Sequence, residues 1–312
     1  MDLFISAQNF GLHNKKSLDL LENSNLNYSM NELGRKMTTE EILDFAIKAK
    51  VLIAGTENLD QLVEFSQDLK AICRVGVGTD NIPLNLCREK GIKVITTDSF
   101  IAESVAEFTL TLILAATRNL IAQNQLCRTG SWNKLIGTSL SELSIGVYGY
   151  GHIGQTLVNI LTNLPVRKVF VYDKYFDNLN SKVYFNSHEK IQFVTEKEII
   201  SNSDVLSFHI PLTTETNNLV GKKFLANAKD DLILINNSRG QIINEDELLQ
   251  VLEKKLKFVA LDVFGHEPYK GPLLQHPKVI ATPHIASYTK KSRSQIEIDC
   301  IRSAISVISS YN

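Results

Sequence analysis

The chain has 312 residues, of which 44% are hydrophobic and 21% charged, a composition typical of a globular protein with about two domains. Its 33 basic and 34 acidic residues give a formal net charge of −1, so it lacks the excess positive charge that nucleic acids and anionic membranes attract. Its four cysteines form no CxxC pair, which argues against a zinc ribbon or disulfide framework and favours reduced thiols in a cytosolic protein.

The N-terminal sequence MDLFISAQNF carries an early acid and no basic stretch, so it does not resemble a signal peptide. The longest apolar-rich stretch, FTLTLILAATRNL, begins at Phe108 and meets Arg118 after about ten residues. That length is too short to span a bilayer and indicates a buried helix. We therefore expect a soluble, cytoplasmic protein.

Short β-branched segments alternate with helical periods along the chain, which predicts βαβ units and parallel sheets. MTTEEILDFAIKA begins with a capping box of Thr38 and Glu41. PLNLCREKG has Pro83 near a helix start and Gly91 at its end. In the first hundred residues the predicted strands are Leu3–Ser6, Val51–Ala54, Ile72–Val75 and Lys93–Thr96.

A long helix from Ala102 to about Arg128 is predicted to lead into a second series of strands. The tail, Lys290–Ser309, is predicted to be helical and is too short for a third domain, so we expect it to pack on an existing one. The strands of the second series are predicted at Ser144–Tyr148, Lys168–Tyr172, Val205–His209, Leu232–Ile235, Phe258–Leu261 and Val279–Ala281.

The expected fold is therefore α/β, with two doubly wound parallel-sheet domains of the Rossmann and flavodoxin-like type and a cleft between them. The first domain is expected to be discontinuous and to comprise residues 1–98 and 288–312. The second is expected to comprise residues 99–287.

The segment LSIGVYGYGHIGQTLVNIL contains Gly149, Gly151 and Gly154 in the order GxGxxG, after an apolar strand and before a helical pattern. In a dinucleotide site these glycines allow a tight turn, close approach of the pyrophosphate and close packing of helix on strand. The pyrophosphate then lies at the N-terminus of the helix, where the helix dipole is positive.

Asp173 ends the next predicted strand, 19 residues after Gly154. A carboxylate at this place can accept hydrogen bonds from both ribose hydroxyls and repels a 2′-phosphate, which favours NAD over NADP. The neighbouring Lys174 could offset part of that repulsion. The alternative interpretation, a tight turn with a surface aspartate, does not explain why strand, spacing and acid occur together.

Arg239, Glu267 and His284 each come just after an apolar segment, in NNSRGQ, ALDVFGHEP and ATPHIAS. Because the carboxyl ends of parallel strands gather at one edge of a sheet, these side chains are predicted to converge beside the nicotinamide. An arginine can clamp a substrate carboxylate in bidentate fashion and stabilise negative charge on a carbonyl oxygen. A histidine can move a proton near neutral pH, and a hydrogen-bonded glutamate favours its protonated form.

Each of these residues alone has an ordinary structural alternative: a surface arginine, a Glu-Pro turn, or a Pro-His pair that shapes a loop. His209, His266, His276 and His284 have no recognised metal-ligand spacing, so no metal site is expected. His209 is interpreted as shaping the loop before Pro211 rather than as a catalyst.

Taken together, the motifs resemble those of the D-isomer-specific 2-hydroxyacid dehydrogenases over nearly the whole chain. The segments that carry this resemblance follow in the family's order: RVGVGTDNIPL (74–84), SVAEFTLTLILAATR (104–118), GSWNKLIGTSLSELSIGVYGYGHIG (130–154), SFHIPLTTET (207–216), INNSRGQIINEDEL (235–248), ALDVFGHEP (260–268) and TPHIASYT (282–289).

The resemblance implies an NAD-dependent oxidoreductase that acts on a CH–OH group, with Arg239, Glu267 and His284 as catalytic residues. It implies a homodimer formed through helix 104–128 and its neighbours. The substrate carboxylate is expected at Arg74, Val75 and Gly76. The cofactor contacts that it implies are Gly149, Gly151, His152, Ile153, Gly154, Asp173, Ile210, Asn237, Ser238, Asp262 and Ala286.

Within the family, Arg74 and the segment SYTKKSR favour members that resemble phosphoglycerate dehydrogenase without a C-terminal regulatory domain. Arg74 would bind the substrate phosphate, or else pair with a nearby acid. A hydroxypyruvate, glyoxylate or D-lactate-type reductase is the first alternative, and a non-catalytic NAD(H)-sensing partner protein is the second. Phe108 and Pro83 depart from the family pattern, where histidine and aspartate are frequent.

Overall fold

A computed structural model describes residues 1–12, 15–97, 101–175 and 188–311. The chain divides into two units, one made of Met1–Ile101 and Tyr288–Asn312, the other of Ala102–Ser287. The first domain boundary expected from the sequence, between residues 98 and 99, lies outside the described residues, so the exact domain limits stay a prediction.

Unit 1 contains a parallel five-stranded sheet in the order β2-β1-β3-β4-β5. Its strands are β1 (Leu3–Ile5), β2 (Tyr28–Met30), β3 (Val51–Ala54), β4 (Ala71–Arg74) and β5 (Lys93–Ile95). The N-terminal segment of unit 1 also contains the helices α1 (Lys15–Glu22), α2 (Thr39–Ala46), α3 (Asp60–Phe65) and α4 (Leu84–Glu89). The capping box at the start of α2 is confirmed, because Thr38 Oγ1 accepts from the Glu41 N–H and Glu41 Oε2 accepts from the Thr38 N–H.

Unit 2 contains a parallel seven-stranded sheet in the order β12-β11-β10-β9-β6-β7-β8. Its strands are β6 (Ser144–Tyr148), β7 (Lys168–Tyr172), β8 (Ile191–Phe193), β9 (Val205–Phe208), β10 (Leu232–Asn236), β11 (Leu256–Leu261) and β12 (Val279–Ala281). Its helices are α5 (Ile101–Thr117), α6 (Leu120–Arg128), α7 (His152–Thr162), α8 (Glu196–Asn202), α9 (Lys222–Leu225) and α10 (Glu245–Lys255). The chain runs outward from β6 in both directions, so the topological switch point lies between β6 and β9.

The final helix, α11 (Lys290–Ser309), returns to unit 1 and packs on β3, β4 and α1. Glu297 on this helix is 1% exposed and accepts hydrogen bonds from the Gly11 N–H and the Ser17 hydroxyl, both at 3.1 Å. Its other carboxylate oxygen pairs with Arg293 at 2.9 Å. A buried carboxylate with these partners fixes the helix to the N-terminal part of the chain. The predicted α/β fold with two doubly wound sheets is confirmed.

The prediction of one continuous helix from Ala102 to about Arg128 is wrong, because this segment forms two helices, α5 and α6, at an angle of 59°. Asn119 between them has a left-handed backbone with φ +53, a conformation that asparagine adopts more readily than most residues. Its side-chain amide donates to the Ile136 carbonyl at 2.9 Å. No single helix in the described ranges has the length and apolarity of a membrane span, and α5 with α6 passes that test only as a bent pair.

Candidate active site

The turn between β6 and α7 separates the roles of its three glycines. Gly149 has φ +106, and a Cβ atom there would lie 2.5 Å from the His209 carbonyl oxygen. A Cβ atom on Gly154 would lie 2.1 Å from the Gly149 carbonyl oxygen. A Cβ atom on Gly151 would meet no described atom within 4 Å. The first and third glycines are therefore required by the fold of the turn, while the second leaves the helix N-terminus open to a ligand.

Helix α7 begins at His152 directly after this opening and runs for 11 residues. Its first N–H groups have no partner within the helix, and the aligned peptide dipoles make this end positive. His152 and Ile153 thus lie where a pyrophosphate would be held by backbone N–H groups.

Asp173 follows β7 beside the glycine turn, because β6 and β7 are paired with Tyr148 opposite Tyr172. One of its carboxylate oxygens accepts from the Tyr150 N–H at 2.7 Å and the other from the Tyr175 N–H at 2.9 Å. Each oxygen retains a second lone pair that can accept from a ribose hydroxyl. The pocket chemistry fits a dinucleotide with a free 2′-hydroxyl.

Two alanine variants of this turn are expected to lose different properties, one its stability and the other its affinity for NADH. Gly154→Ala forces a methyl group against the Gly149 carbonyl and should lower the free energy of unfolding by about 1–3 kcal/mol. Gly151→Ala meets open space, so it should keep the thermal stability of the wild type and lose affinity for NADH. Thermal denaturation and NADH fluorescence titration of both variants check this. Equal losses of stability in the two variants would contradict the assignment.

The imidazole of His284 and the carboxylate of Glu267 form a direct pair, with 2.9 Å between His284 Nδ1 and Glu267 Oε2. The second carboxylate oxygen accepts from the Phe264 N–H at 3.2 Å, which fixes the orientation of the glutamate. The side chains are 37% and 34% exposed, so the pair is accessible to a small molecule. With Nδ1 bound to the carboxylate, Nε2 is left to donate or accept a substrate proton.

The loop that carries His284 is fixed by the fully buried Asp262 at the end of β11. One oxygen of this carboxylate accepts from the Ile285 N–H at 2.8 Å and the Thr282 hydroxyl at 2.6 Å, and the other from the Ala286 N–H at 2.8 Å. Burial raises the pKa of Asp262 above its ordinary value, and these hydrogen bonds oppose the shift. The arrangement supports His284 in a left-handed conformation with φ +57, which is uncommon for a residue other than glycine.

The loop that carries Arg239 is fixed by Asn236, the fully buried last residue of β10. Its side-chain oxygen accepts from the Ser238 N–H at 3.1 Å and the Ser238 hydroxyl at 2.8 Å, and its amide donates to the Arg239 carbonyl at 2.9 Å. Arg239 is half-buried and donates to the Ser238 carbonyl at 2.7 Å. Asn236 was not among the predicted site residues, although a polar residue that ends an apolar strand is a signal that could have identified it.

The three loops are neighbours in the sheet. β10 pairs with β11 through Asn236 and Leu261, and β11 pairs with β12 through Leu261 and Ala281, so their carboxyl ends share one edge. A Cβ atom on Gly240 would lie 1.9 Å from the Phe264 carbonyl carbon, which shows that the Arg239 loop after β10 touches the loop after β11 that carries Glu267. Arg239, Glu267 and His284 are thus presented on one side of unit 2.

Asn237 joins this edge to α5 rather than pointing to solvent. Its amide donates to the Thr109 hydroxyl at 2.6 Å, and its buried oxygen accepts no hydrogen bond from the described residues. Ile210 follows β9 and packs against the apolar core, and Phe108 packs on the other core of the same unit.

His209 differs from His284 in its surroundings. Its Nε2 lies 2.9 Å from the Ser207 hydroxyl, its Nδ1 is buried, and burial lowers its pKa to about 3. Burial therefore favours the neutral ring, which does not act as a general acid near neutral pH.

The predicted substrate loop lies at the end of β4 in unit 1. Arg74 is 8% exposed and donates to the Val75 carbonyl. The Val75 N–H donates to the Ala54 carbonyl at 2.9 Å, and the Gly76 N–H donates to the Thr97 hydroxyl at 3.0 Å. Both N–H groups already have protein acceptors, so a carboxylate bound there must share or exchange these hydrogen bonds.

A family model described as "D-isomer specific 2-hydroxyacid dehydrogenase, NAD binding domain" matches residues 110–286, more than half of the chain. The match falls on the unit that holds the glycine turn, Asp173 and the His284–Glu267 pair. The chain belongs to the D-isomer-specific 2-hydroxyacid dehydrogenases. It is thus an NAD-dependent oxidoreductase of the class that acts on the CH–OH group of 2-hydroxy acids, and the sequence-based expectation of NAD as the cofactor is confirmed.

Two curated relatives differ in their named substrates. D-3-phosphoglycerate dehydrogenase of Methanocaldococcus jannaschii is 34% identical over 269 residues, which cover 84% of this chain and 50% of the relative. Hydroxypyruvate reductase of Thermotoga maritima is 31% identical over 271 residues, which cover 84% of this chain and 86% of the relative. The chain thus spans half the length of the first relative and most of the second.

Among solved structures, the chain is similar to the TT0316 protein from Thermus thermophilus, with 27% identity and a TM-score of 0.88. The similarity covers 99% of this chain and 97% of that protein. The similarity of fold thus extends over nearly the whole chain, beyond residues 110–286 that the family model matches.

Proposed function

We propose that this family member interconverts a small D-2-hydroxy acid and the corresponding 2-keto acid, with His284 as the acid and base. The observation that supports this proposal most strongly is the 2.9 Å pair of His284 and Glu267, accessible at the edge of the sheet that also carries the glycine turn. Arg239 completes the group.

When bound, NAD supplies the hydride donor or acceptor of the reaction. His284 Nε2 gives a proton to the carbonyl oxygen in the direction of reduction, and takes it back from the hydroxyl in the direction of oxidation. Glu267 holds the ring through Nδ1 and favours its protonated form. Arg239 binds the carboxylate next to the reacting carbon and stabilises negative charge on the carbonyl oxygen.

The remaining predicted cofactor contacts belong to the same proposal. They lie in the α7 start and in the loops after β9, β10, β11 and β12, and they comprise His152, Ile153, Ile210, Asn237, Ser238, Asp262 and Ala286. In addition to contacting the cofactor, Asp262 holds the His284 loop through its hydrogen bonds with the Ile285 and Ala286 N–H groups.

For the substrate, we propose 3-phosphohydroxypyruvate and 3-phosphoglycerate. Arg74 supplies a guanidinium at the predicted substrate loop, and guanidinium groups bind phosphates in bidentate fashion. The 34% identity with the Methanocaldococcus jannaschii phosphoglycerate dehydrogenase supports the same choice.

Hydroxypyruvate is the second candidate, because the charge of Arg74 also acts on a buried acid of unit 1, Glu57. Glu57 is 1% exposed, burial raises its pKa, and the charge of Arg74 opposes that shift. A guanidinium that compensates a buried carboxylate has less charge to offer a phosphate. The Thermotoga maritima hydroxypyruvate reductase, which the chain matches over 86% of its length, agrees with this candidate.

The ratio of kcat/KM for 3-phosphohydroxypyruvate to that for hydroxypyruvate decides between the two candidates. A ratio well above one that falls in Arg74→Ala, but not in the exposed matched control Arg88→Ala, supports the phosphorylated substrate. A ratio below one that Arg74→Ala leaves unchanged supports hydroxypyruvate and removes the phosphate-binding role of Arg74.

We further propose that a second copy of the chain covers an apolar surface on unit 2. This surface, the 120–136 patch, contains two strongly exposed side chains, Trp132 at 81% and Ile136 at 93%. Leu120, Ile121 and Leu135 are exposed beside them in the sequence. Large exposed apolar side chains of this kind mark interaction surfaces, and a homodimer buries the same patch on both copies.

The double variant Trp132→Glu, Ile136→Asp is expected to be monomeric, since it places charges in the interface. Light scattering coupled to gel filtration should give the mass of one chain for this variant and of two chains for the wild type. Phe65→Glu, which charges an exposed aromatic position in unit 1, is the control and should remain dimeric. A dimeric double variant would exclude the 120–136 patch as the interface.

A further inference from the structure

Lys174 and Glu215 form an ion pair beside the position expected to hold the cofactor ribose. Lys174 directly follows Asp173 at the end of β7, and Glu215 lies in the loop after β9. Lys174 Nζ and Glu215 Oε2 are 2.5 Å apart. Because β7 and β9 flank β6, the pair joins the two loops on either side of the glycine turn.

The loop of Glu215 is held by a reciprocal pair of threonine side chains. The Thr213 N–H donates to Thr216 Oγ1 at 2.7 Å, and the Thr216 N–H donates to Thr213 Oγ1 at 3.2 Å. The Thr216 hydroxyl also donates to the Pro211 carbonyl at 2.7 Å. Glu215 is therefore presented from a turn with its own hydrogen-bond network, which places its carboxylate near Lys174.

The charges of Asp173, Lys174 and Glu215 decide whether NAD or NADP is favoured. A 2′-phosphate carries close to two negative charges at neutral pH and needs a cation that is not already compensated. Lys174 is the cation adjacent to Asp173, but its ammonium group is bound by Glu215, whose hydrogen bond raises the pKa of the lysine. Asp173, Lys174 and Glu215 together leave one net negative charge, which repels a 2′-phosphate and tolerates a 2′-hydroxyl.

We propose that Glu215 is a specificity-determining residue that selects NAD over NADP by neutralising Lys174. This inference rests on the dinucleotide site of the proposed dehydrogenase and goes beyond the role of Asp173 alone. Asp173 provides acceptors for the ribose hydroxyls, while Glu215 occupies the adjacent cation that could otherwise bind a phosphate.

The test is the equilibrium binding of NADH and NADPH, measured by fluorescence titration at low salt without any keto acid. Glu215→Gln is expected to tighten NADPH binding by about fivefold relative to NADH, the scale of one exposed ion pair. The gain should shrink in high salt, because exposed charges are screened. It should also vanish in the double variant Lys174→Gln, Glu215→Gln, which restores the wild-type net charge.

Asp230→Asn is the matched control. It removes one acid from another exposed ion pair of unit 2, with Lys255 at 2.9 Å, and should leave the ratio of the two affinities unchanged. An unchanged ratio in Glu215→Gln, or a gain that persists without Lys174, overturns the role of Glu215. Wild-type protein that binds neither NADH nor NADPH contradicts the proposed dehydrogenase itself, so the two failures are distinguishable.

Discussion

Replacing His284 by alanine is expected to lower kcat for keto-acid reduction by about 10²-fold to 10⁴-fold, the range that general acid catalysis contributes. The structure gives the reason. His284 is fixed by Glu267 on its Nδ1 side and by the backbone hydrogen bonds of its loop to Asp262, so one ring nitrogen is left for the substrate. NADH affinity should remain within a few-fold of the wild type. Steady-state kinetics at 340 nm and NADH fluorescence titration measure the two quantities.

A second histidine–carboxylate pair in the same unit provides the control. His276 Nε2 lies 3.0 Å from Glu253 Oε1, before β12 and therefore at the opposite end of that strand from His284. His276→Ala should leave kcat unchanged. If His284→Ala retained full turnover, the pair with Glu267 would be a structural contact and the acid would have to be found elsewhere.

Arg239→Lys is expected to lower kcat/KM by about 10²-fold to 10³-fold although it preserves the charge. A lysine offers a point charge, whereas the planar guanidinium can bind a carboxylate with two parallel hydrogen bonds. Asn236 and Gly240 hold the backbone on either side of this position, so the shorter reach of lysine is not compensated by movement of the loop. Kinetics with the preferred keto acid should show the loss in KM as well as in kcat.

Arg167→Lys is the matched control, since this arginine of unit 2 binds Asp204 at 2.9 Å on the surface. It should leave both kinetic constants near those of the wild type. An Arg239→Lys variant with wild-type kcat/KM would mean that charge alone suffices, and the proposed bidentate clamp would be wrong.

Local signals in the sequence were sufficient to predict several strands and the glycine turn. The strands β6, β7 and β12 have the predicted limits, because each is an apolar segment bounded by polar or turn residues. The GxGxxG spacing predicted a turn in which Gly149 and Gly154 are packed and Gly151 is open, as the structure shows. Hydrophobic periodicity and turn-forming residues lie within about ten neighbouring residues, so such features can be predicted from the sequence.

Features that depend on distant residues were not predicted. The strands β2 (YSM) and β8 (IQF) are three-residue edge strands with a polar residue in the middle, so they lack the continuous apolar segment that marks the edge strand β12 (VIA). The break after α5 depends on the contact of Asn119 with Ile136, 17 residues away. The pairing of Lys174 with Glu215 likewise depends on the fold, since the two residues are distant in the chain. The sequence offered a nearby acid as an alternative partner of Arg74, but only the fold shows that the charge of Arg74 acts on Glu57.

We expect this chain to reduce a 2-keto acid with NADH. The most direct measurement follows absorbance at 340 nm with purified protein, NADH and a panel of 3-phosphohydroxypyruvate, hydroxypyruvate, glyoxylate, pyruvate and 2-oxoglutarate, with chiral analysis of any chiral product. We predict NADH oxidation with one of these acids, a D-2-hydroxy acid as product when that product is chiral, and loss of turnover in His284→Ala. NADH binding without oxidation by any of these acids would contradict the proposed substrates and leave two possibilities, a 2-keto acid outside the panel or an NAD(H)-sensing role.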